Sequence, residues 1–373
     1  TKDGCVAVAL SWLALCIFGS VPFVLSDSIP HPIDAFFETV SGFTTTGASV
    51  LSDVEALSHC MLIWRSFTHW IGGMGVLVFI LCLLPLTGGY HMNLMKAESP
   101  GPSVSKLVPK VQSTAKILYT IYIILTIVEI IFLLIGKMPL FDTLCLSFGT
   151  AGTGGFGIKN DSIASYSTYN QVVITVFMIL FGINFNAYYL LLTKKVMQAA
   201  KNEEVRYYLG IIGLAIVAIA INTREMFTSF GRAFQQAAFQ VGSIITTTGY
   251  ATTDFNVWPV FSKTILVILM FVGACAGSTG GGIKVSRLLI LCKSARKELQ
   301  LYLHPNAVKK IKMDDKAIPH EVVRATNMFL FVYIMIFVTS LLIISLDNLD
   351  MVSNFTAIAA TLNNIGPGLG AVG

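Results

Sequence analysis

Four glycines, Gly47, Gly154, Gly249 and Gly366, stand at intervals of 107, 95 and 117 residues. Each follows a short polar run: Thr44-Thr45-Thr46, Ala151-Gly152-Thr153, Thr246-Thr247-Thr248 and Asn363-Asn364-Ile365. Ten residues before the glycines stand Phe37, Leu144, Phe239 and Thr356. One pattern recurring at near-equal spacing marks a repeat architecture, in which each unit leaves a face that only its neighbours cover. Four copies of one supersecondary unit, arranged about an axis, bring four such strips to one point.

What surrounds the strips decides the solvent. Seven apolar runs lie near 5–25, 61–86, 114–136, 170–193, 206–222, 257–292 and 323–346. A helix that crosses a bilayer needs about 20 mostly apolar residues. Only 12% of the 373 residues are charged and 54% are hydrophobic, against about 25% charged in soluble domains. That composition excludes a soluble globular protein, a disordered chain and a nucleic-acid binder with a basic face. In hydrocarbon every backbone polar group must be satisfied internally, so the runs are predicted to be helices. The alternation of a membrane β-barrel is absent. The run at 257–292 is too long for one span and carries a Gly-rich interruption, so it is expected to be broken.

The strips fall in shorter, semi-polar segments between spans, at 34–50, 141–157, 232–250 and 352–369. Such segments are too apolar for free loops and too short to cross. They are expected to re-enter the membrane, which is tolerated only where backbone lines a water-filled cavity. A dehydrated cation exchanges its water shell for rings of backbone carbonyls. Glycine lets the backbone take the required conformations at little steric cost. Threonine hydroxyls add acceptors at one rim, and the short helices turn their negative ends toward the cavity. One Thr-Thr-Thr-Gly run alone fits a tight turn equally well; four related copies favour a pore.

Charge placement orients the chain. Fifteen basic residues lie in the connections 88–113, 194–205 and 284–322: Lys96, Lys106, Lys110, Lys194, Lys195, Lys201, Lys284, Arg287, Lys293, Arg296, Lys297, Lys309, Lys310, Lys312 and Lys316. Five, Lys137, Lys159, Arg224, Arg232 and Lys263, flank the semi-polar segments. The first group is therefore expected to face the cytoplasm. Asp27, Asp34, Glu38, Asp53, Glu55, Asp142, Asp161, Asp254, Asp347 and Asp350 are expected to give an outer vestibule that concentrates cations.

Four segments carry a resemblance: Phe43-Thr-Thr-Thr-Gly-Ala48, Trp64-Arg-Ser-Phe-Thr-His-Trp-Ile-Gly-Gly-Met-Gly75, Lys96-Ala-Glu-Ser-Pro-Gly-Pro102 and Gly277-Ser-Thr-Gly-Gly-Gly-Ile-Lys284. They resemble the membrane subunit of bacterial Trk-type potassium uptake systems, in the Trk/Ktr/HKT superfamily, over essentially the whole chain. The resemblance implies an all-α polytopic membrane protein of four helix–pore loop–helix repeats around a pseudo-fourfold, potassium-channel-like pore. The repeats would span 1–87, 88–193, 194–292 and, with a cytoplasmic linker, 293–373. It also implies a homodimer in the bacterial cytoplasmic membrane and gating by a cytoplasmic, RCK-type nucleotide-binding subunit. Potassium is then the transported ion, with no nucleotide on this chain and no enzyme activity. The implied filter is Thr45, Thr46, Gly47; Gly152, Thr153, Gly154; Thr247, Thr248, Gly249; and Asn364, Ile365, Gly366. In the superfamily, glycine at the key position of all four loops goes with potassium, and serine in the first goes with sodium. Family members have two helices before the first repeat and one after the fourth pore loop. The sequence runs from Thr1 to Gly373 without them, so a truncated sequence is expected. Whether transport is passive or a symport stays open.

Gly273, Gly277, Gly280, Gly281 and Gly282 each disfavour helix by about 1 kcal/mol relative to Ala. With Ser278, Thr279 and Lys284 they are expected to form a gate across the ion path; a simple helix kink is the alternative. A phosphate-binding loop is excluded, because Ile283 precedes Lys284 and Val285 follows it. Arg65 and His69 share a helix face, and Arg65 is expected to brace a pore helix through Glu38 or to snorkel. Glu129 lies mid-span as a proton relay, a protonated acid or a paired one. Asn184 and Asn186 are expected to bond between helices. The basic stretch Lys293–Lys316 fits anionic membrane lipids or the regulatory subunit. The seven cysteines lack metal spacing and are read as small buried hydrophobes. His31, His59, His91, His304 and His320 are too dispersed for a metal site.

Overall fold

The computed structural model describes residues 2–75, 111–304 and 310–372. The order long helix, short helix, extended strip recurs four times. The first unit holds α1 (Lys2–Leu25), α2 (Pro32–Phe43) and α3 (His59–Gly73). The second holds α4 (Val111–Ile135), α5 (Leu140–Gly152), α6 (Thr168–Phe181) and α7 (Phe185–Leu192). After the short α8 (Val196–Ala200) come α9 (Glu203–Asn222), α10 (Phe230–Ile245), α11 (Val260–Val272) and α12 (Val285–Leu303). The last unit holds α13 (His320–Ile344) and α14 (Met351–Leu362). Among the described residues the one sheet is a hairpin, β1 (Lys312–Met313) antiparallel to β2 (Lys316–Ala317).

Local chemistry sets the helix starts. Ser58, Ser167, Ser229, Asn202 and Asp350 each cap a helix by accepting a backbone N–H of its first turn. Pro32 opens α2, where its missing N–H costs nothing. The long helices α1, α4, α9 and α13 are apolar and long enough to cross a membrane. They leave large apolar side chains such as Phe18, Ile131, Leu214 and Phe331 exposed. An exposed apolar surface of that extent is covered by lipid rather than water. Each short helix, α2, α5, α10 and α14, packs against the long helix before it, and their strips converge. Tyr208, Val241 and Leu266 belong to one buried apolar cluster; Tyr122, Phe181, Phe239 and Tyr250 belong to another. Surrounded by lipid as apolar as themselves, these side chains hold the helices together by van der Waals packing rather than by exclusion of water.

Two spans differ from expectation. The run 170–193 is not one helix, because α6 and α7 meet at 90°. Asn184 caps α7 by accepting the Asn186 N–H at 2.9 Å. The backbone groups freed by the bend find partners in the Gly-rich segment, through Cys275 N–H to Gly182 C=O and Phe185 N–H to Gly277 C=O, both at 3.0 Å. The run 257–292 breaks where expected, but α12 continues to Leu303, its last turns carrying Arg296, Lys297 and Glu298. The second half of the run 61–86, the segment Lys96–Pro102, the boundary at 87/88, and Lys96, Lys106, Lys110, Lys309, Cys82 and His91 lie outside the described residues.

Candidate functional site

Past each short helix the backbone repeats one turn. A left-handed residue comes first: Thr45 (φ 59°), Thr153 (φ 54°), Thr247 (φ 60°) and Asn364 (φ 58°). One residue later comes Thr46, Gly154, Thr248 or Ile365. Its N–H returns to the helix at the carbonyl of Ser41, Gly149, Ser243 or Ala360, at 2.9, 2.9, 2.9 and 2.8 Å. A left-handed glycine follows: Gly47 (φ 79°), Gly155 (φ 80°), Gly249 (φ 87°) and Gly366 (φ 93°). The 6→1 bond is the Schellman ending of a helix, which usually places glycine at the left-handed position. β-Branched threonine there is a true outlier, and strain of this kind clusters at functional sites.

This geometry corrects the second strip by one residue. Gly155, not Gly154, is the counterpart of Gly47, Gly249 and Gly366, so the strip reads Thr153-Gly154-Gly155. Gly152 closes α5 and lies outside it. The segment Gly152-Thr-Gly-Gly-Phe-Gly157 offers several glycines, and backbone conformation rather than spacing selects among them.

The strips close on one another. A Cβ on Gly47 would overlap the carbonyl oxygen of Gly154 in the second strip. One on Gly155 would overlap that of Thr248 in the third, and one on Gly249 that of Ile365 in the fourth. One on Gly366 would lie 3.0 Å from the carbonyl oxygen of Thr46, in the first. The contacts run strip to strip and return to their start. Glycine is favoured at all four places by its φ, and at Gly47, Gly155 and Gly249 its neighbour leaves no room for a Cβ.

Buried polar contacts hold the ring from behind. Arg65 Nε donates to Glu38 Oε1 at 2.7 Å, and its Nη1 donates to the Gly157 carbonyl at 3.1 Å. Its guanidinium also lies 3.8 Å from the centre of the Phe156 ring. Glu38 accepts from Ser49 Oγ and Val50 N–H, both at 3.0 Å. The pair therefore braces the first and second strips, the first of the two alternatives for Arg65, rather than snorkelling. Glu38 is thereby withdrawn from the expected acidic vestibule: it is buried and paired. His69 stacks on Phe156 at 4.1 Å and packs its ring against Gly154. Tyr250, next to Gly249, donates to the Leu146 carbonyl at 3.2 Å and ties the third strip to the second.

Beyond the strips, Asn160 of the second unit joins the first. Its Oδ1 accepts from Val54 N–H at 2.8 Å, and its Nδ2 donates to Asp53 at 2.8 Å. The Asn160 amide, with backbone N–H groups, holds the Asp53 carboxyl below the usual carboxylate range. Ser353 does the same for Asp350.

The Gly-rich segment lies against the opposite face of the ring. Gly281 N–H donates to Thr247 Oγ1 at 2.5 Å. A Cβ on Gly280 or Gly281 would approach the carbonyl oxygens of Thr246 and Asn363 to 2.7 and 2.5 Å. The segment thus sits under the ends of α10 and α14. Lys284, buried and left-handed (φ 78°), donates through Nζ to the Gly280 carbonyl. Glu204 anchors the segment from α9: its Oε1 accepts from Ala276 N–H at 2.6 Å and Ser286 N–H at 3.1 Å. Its Oε2 accepts from Asn184 Nδ2 at 3.3 Å. Asn184 thereby caps a helix and bonds to a neighbouring one. A cavity of about 580 Å³ separates the segment from the first strip, lined by Thr44, Thr45, Asn364, Arg287 and Tyr333 among others.

Glu204, Gly155 and Tyr250 escaped the sequence reading. Glu204 resembles any acidic residue in a first helical turn, and only its amide partners reveal its work. Glu129 is fully buried in α4 with no hydrogen-bond partner among the described residues. These residues likewise include no group of His, Cys, Asp and Glu able to hold a metal ion. What the ring offers is backbone and hydroxyl oxygen without a free carboxylate, a ligand set suited to a monovalent cation.

Comparisons with known proteins agree with this architecture. The TrkH family model, described as "Cation transport protein", matches residues 1–215 and 207–372. The Trk system potassium uptake protein TrkH of Salmonella typhimurium is 37% identical over 378 residues, covering 100% of this chain and 78% of that protein. The Trk system potassium uptake protein TrkG of Escherichia coli is 33% identical over 381 residues, covering 100% and 78%. The crystal structure of the potassium transporter TrkH from Vibrio parahaemolyticus superposes with a TM-score of 0.87 at 36% identity, over 100% of this chain and 78% of that one. A pseudo-fourfold ring of four strips, reached from the residues, and relatives matched along the whole chain lead to one conclusion: this multi-pass membrane protein belongs to the TrkH family of cation transport proteins.

Proposed function

We propose that the chain takes up potassium across the bacterial cytoplasmic membrane as the membrane subunit of a Trk system. The ion passes through the ring formed by Thr45-Thr46-Gly47, Thr153-Gly154-Gly155, Thr247-Thr248-Gly249 and Asn364-Ile365-Gly366. Closure of the four glycine–carbonyl contacts into a ring carries this reading. Dipolar oxygens replace the hydration shell without a full charge that would trap the ion. Glycine in all four left-handed positions supports potassium over sodium.

The segment 273–284 is the gate. Its position against Thr247 and Asn363 supports this role, as does its anchoring by Glu204. The four units correspond to repeats 1–87, 88–193, 194–292 and 293–373, except that α12 carries the third across the 292/293 boundary to Leu303. A homodimer with a cytoplasmic RCK-type partner follows from the resemblance, and the basic side chains of α12 and the hairpin suit that partner. Expression in a bacterium stripped of its own potassium uptake tests the function. Growth at low potassium is expected, and its absence despite membrane insertion would refute the reading.

A further inference from the structure

The four left-handed residues at the inner rim of the ring are not equivalent in their side chains. Thr45 and Thr153 donate their hydroxyls to the carbonyls just before them, Thr44 and Gly152, each at 2.6 Å. Their oxygen lone pairs stay available. Asn364 accepts through Oδ1 from Thr46 Oγ1 at 2.9 Å, within the ring itself. Thr247 instead accepts from outside the ring, from the Gly281 N–H of the gate segment at 2.5 Å. Beside it, Gly280 and Gly281 lie against the carbonyl oxygens of Thr246 and Asn363. The segment therefore covers Thr246 and Thr247, which do not line the cavity, and its lifting would turn their oxygens toward a cation below the ring.

An N–H dipole and a cation both point positive charge at the same oxygen, so each weakens the other. We propose that the gate segment and a dehydrated potassium ion compete for Thr247 Oγ1 and the adjoining helix-end carbonyls, so that the permeant ion itself favours lifting of the gate. This inference rests on the reading of the strips as filter and of 273–284 as gate. Linkage makes the coupling reciprocal: an ion that binds better when the segment is lifted lifts the segment, and a lifted segment strengthens ion binding. Thr247 is then a positioning residue for the gate as well as an ion ligand.

Hydrogen–deuterium exchange of the peptide carrying residues 273–284 tests this in the full chain in lipid nanodiscs. Potassium chloride and choline chloride are compared at equal ionic strength. Potassium is expected to speed exchange by roughly fivefold, the scale of one net hydrogen bond, with sodium less effective. Thr247→Ser keeps the oxygen and should retain the salt dependence. Thr247→Val should exchange fast in both salts. Equal or slower exchange of the wild-type segment in potassium would overturn the inference, provided potassium still blocks rubidium flux in the same preparation. If Thr247→Val does not fold, the wild-type and Thr247→Ser salt dependence decides alone. Failure of potassium to block rubidium flux would instead refute the filter reading beneath it.

Discussion

Arg65 and Glu38 meet at 2.7 Å where the first and second strips leave the ring, and both side chains are buried. Such a pair adds little net stability over apolar residues of the same shape, because desolvation offsets attraction. Removing one partner leaves an uncompensated charge. Arg65→Ala is therefore expected to cost about 3–5 kcal/mol. Arg65→Met combined with Glu38→Leu should recover much of that stability but not the strip geometry, since Gly157, Ser49 and Val50 lose their partners. Thermal unfolding in detergent, paired with rubidium flux, separates the two effects.

The corrected register makes a second prediction. Gly155→Ser places a side chain on a left-handed residue against the Thr248 carbonyl. Gly47→Ser does the same against Gly154. Both are expected to lower stability, because the Cβ would overlap a backbone carbonyl of the neighbouring strip, and to let sodium compete better with potassium in the protein that still folds. Gly154 has no left-handed φ, and a Cβ there meets the His69 ring instead. Gly154→Ala should therefore lower expression and stability, and His69→Ala should partly rescue it. Competition of sodium with rubidium uptake in each variant checks the assignment.

That register shows where the sequence is legible and where it is not. Apolar length located the four long helices α1, α4, α9 and α13, and the break at 273–284 followed from its glycines. The Arg65–Glu38 brace was one of two alternatives the sequence offered for Arg65, and the structure selects it over snorkelling. The second strip did not follow, because three glycines within four residues satisfy any spacing and only φ distinguishes them. The bend at Gly182–Asn184 was hidden because its freed backbone groups are satisfied by Cys275 and Gly277, far away in sequence. Tertiary partners of this kind leave no local periodicity.

Glu204 links α9 to the Gly-rich segment, the proposed gate, through two backbone N–H groups and Asn184. Hydrogen bonds to a charged group are worth about 1.5–3 kcal/mol. Glu204→Ala is expected to raise flux in the absence of the proposed cytoplasmic partner by roughly tenfold or more, since 1.4 kcal/mol is a factor of ten. Unchanged or lower resting flux in a folded variant would mean that Glu204 does not hold the gate shut.

Asp53 gives a pH dependence. Its Asn160 bond lowers the folded-state value, so its contribution to stability is present above the unfolded carboxyl pKa of about 3.9. The contribution is lost as pH falls through the lower folded value. Asp53→Asn is expected to lower the thermal midpoint slightly at neutral pH, with the deficit shrinking below about pH 4. Thermal midpoints of wild type and variant across that range check the sign.

Rubidium-86 flux into liposomes holding the protein, with potassium or sodium as external competitor, tests the central claim most directly. The four-glycine ring predicts flux that potassium blocks far better than sodium, and that Gly155→Ser makes less selective. Equal block by the two ions, or no flux with the cytoplasmic partner present, would contradict it.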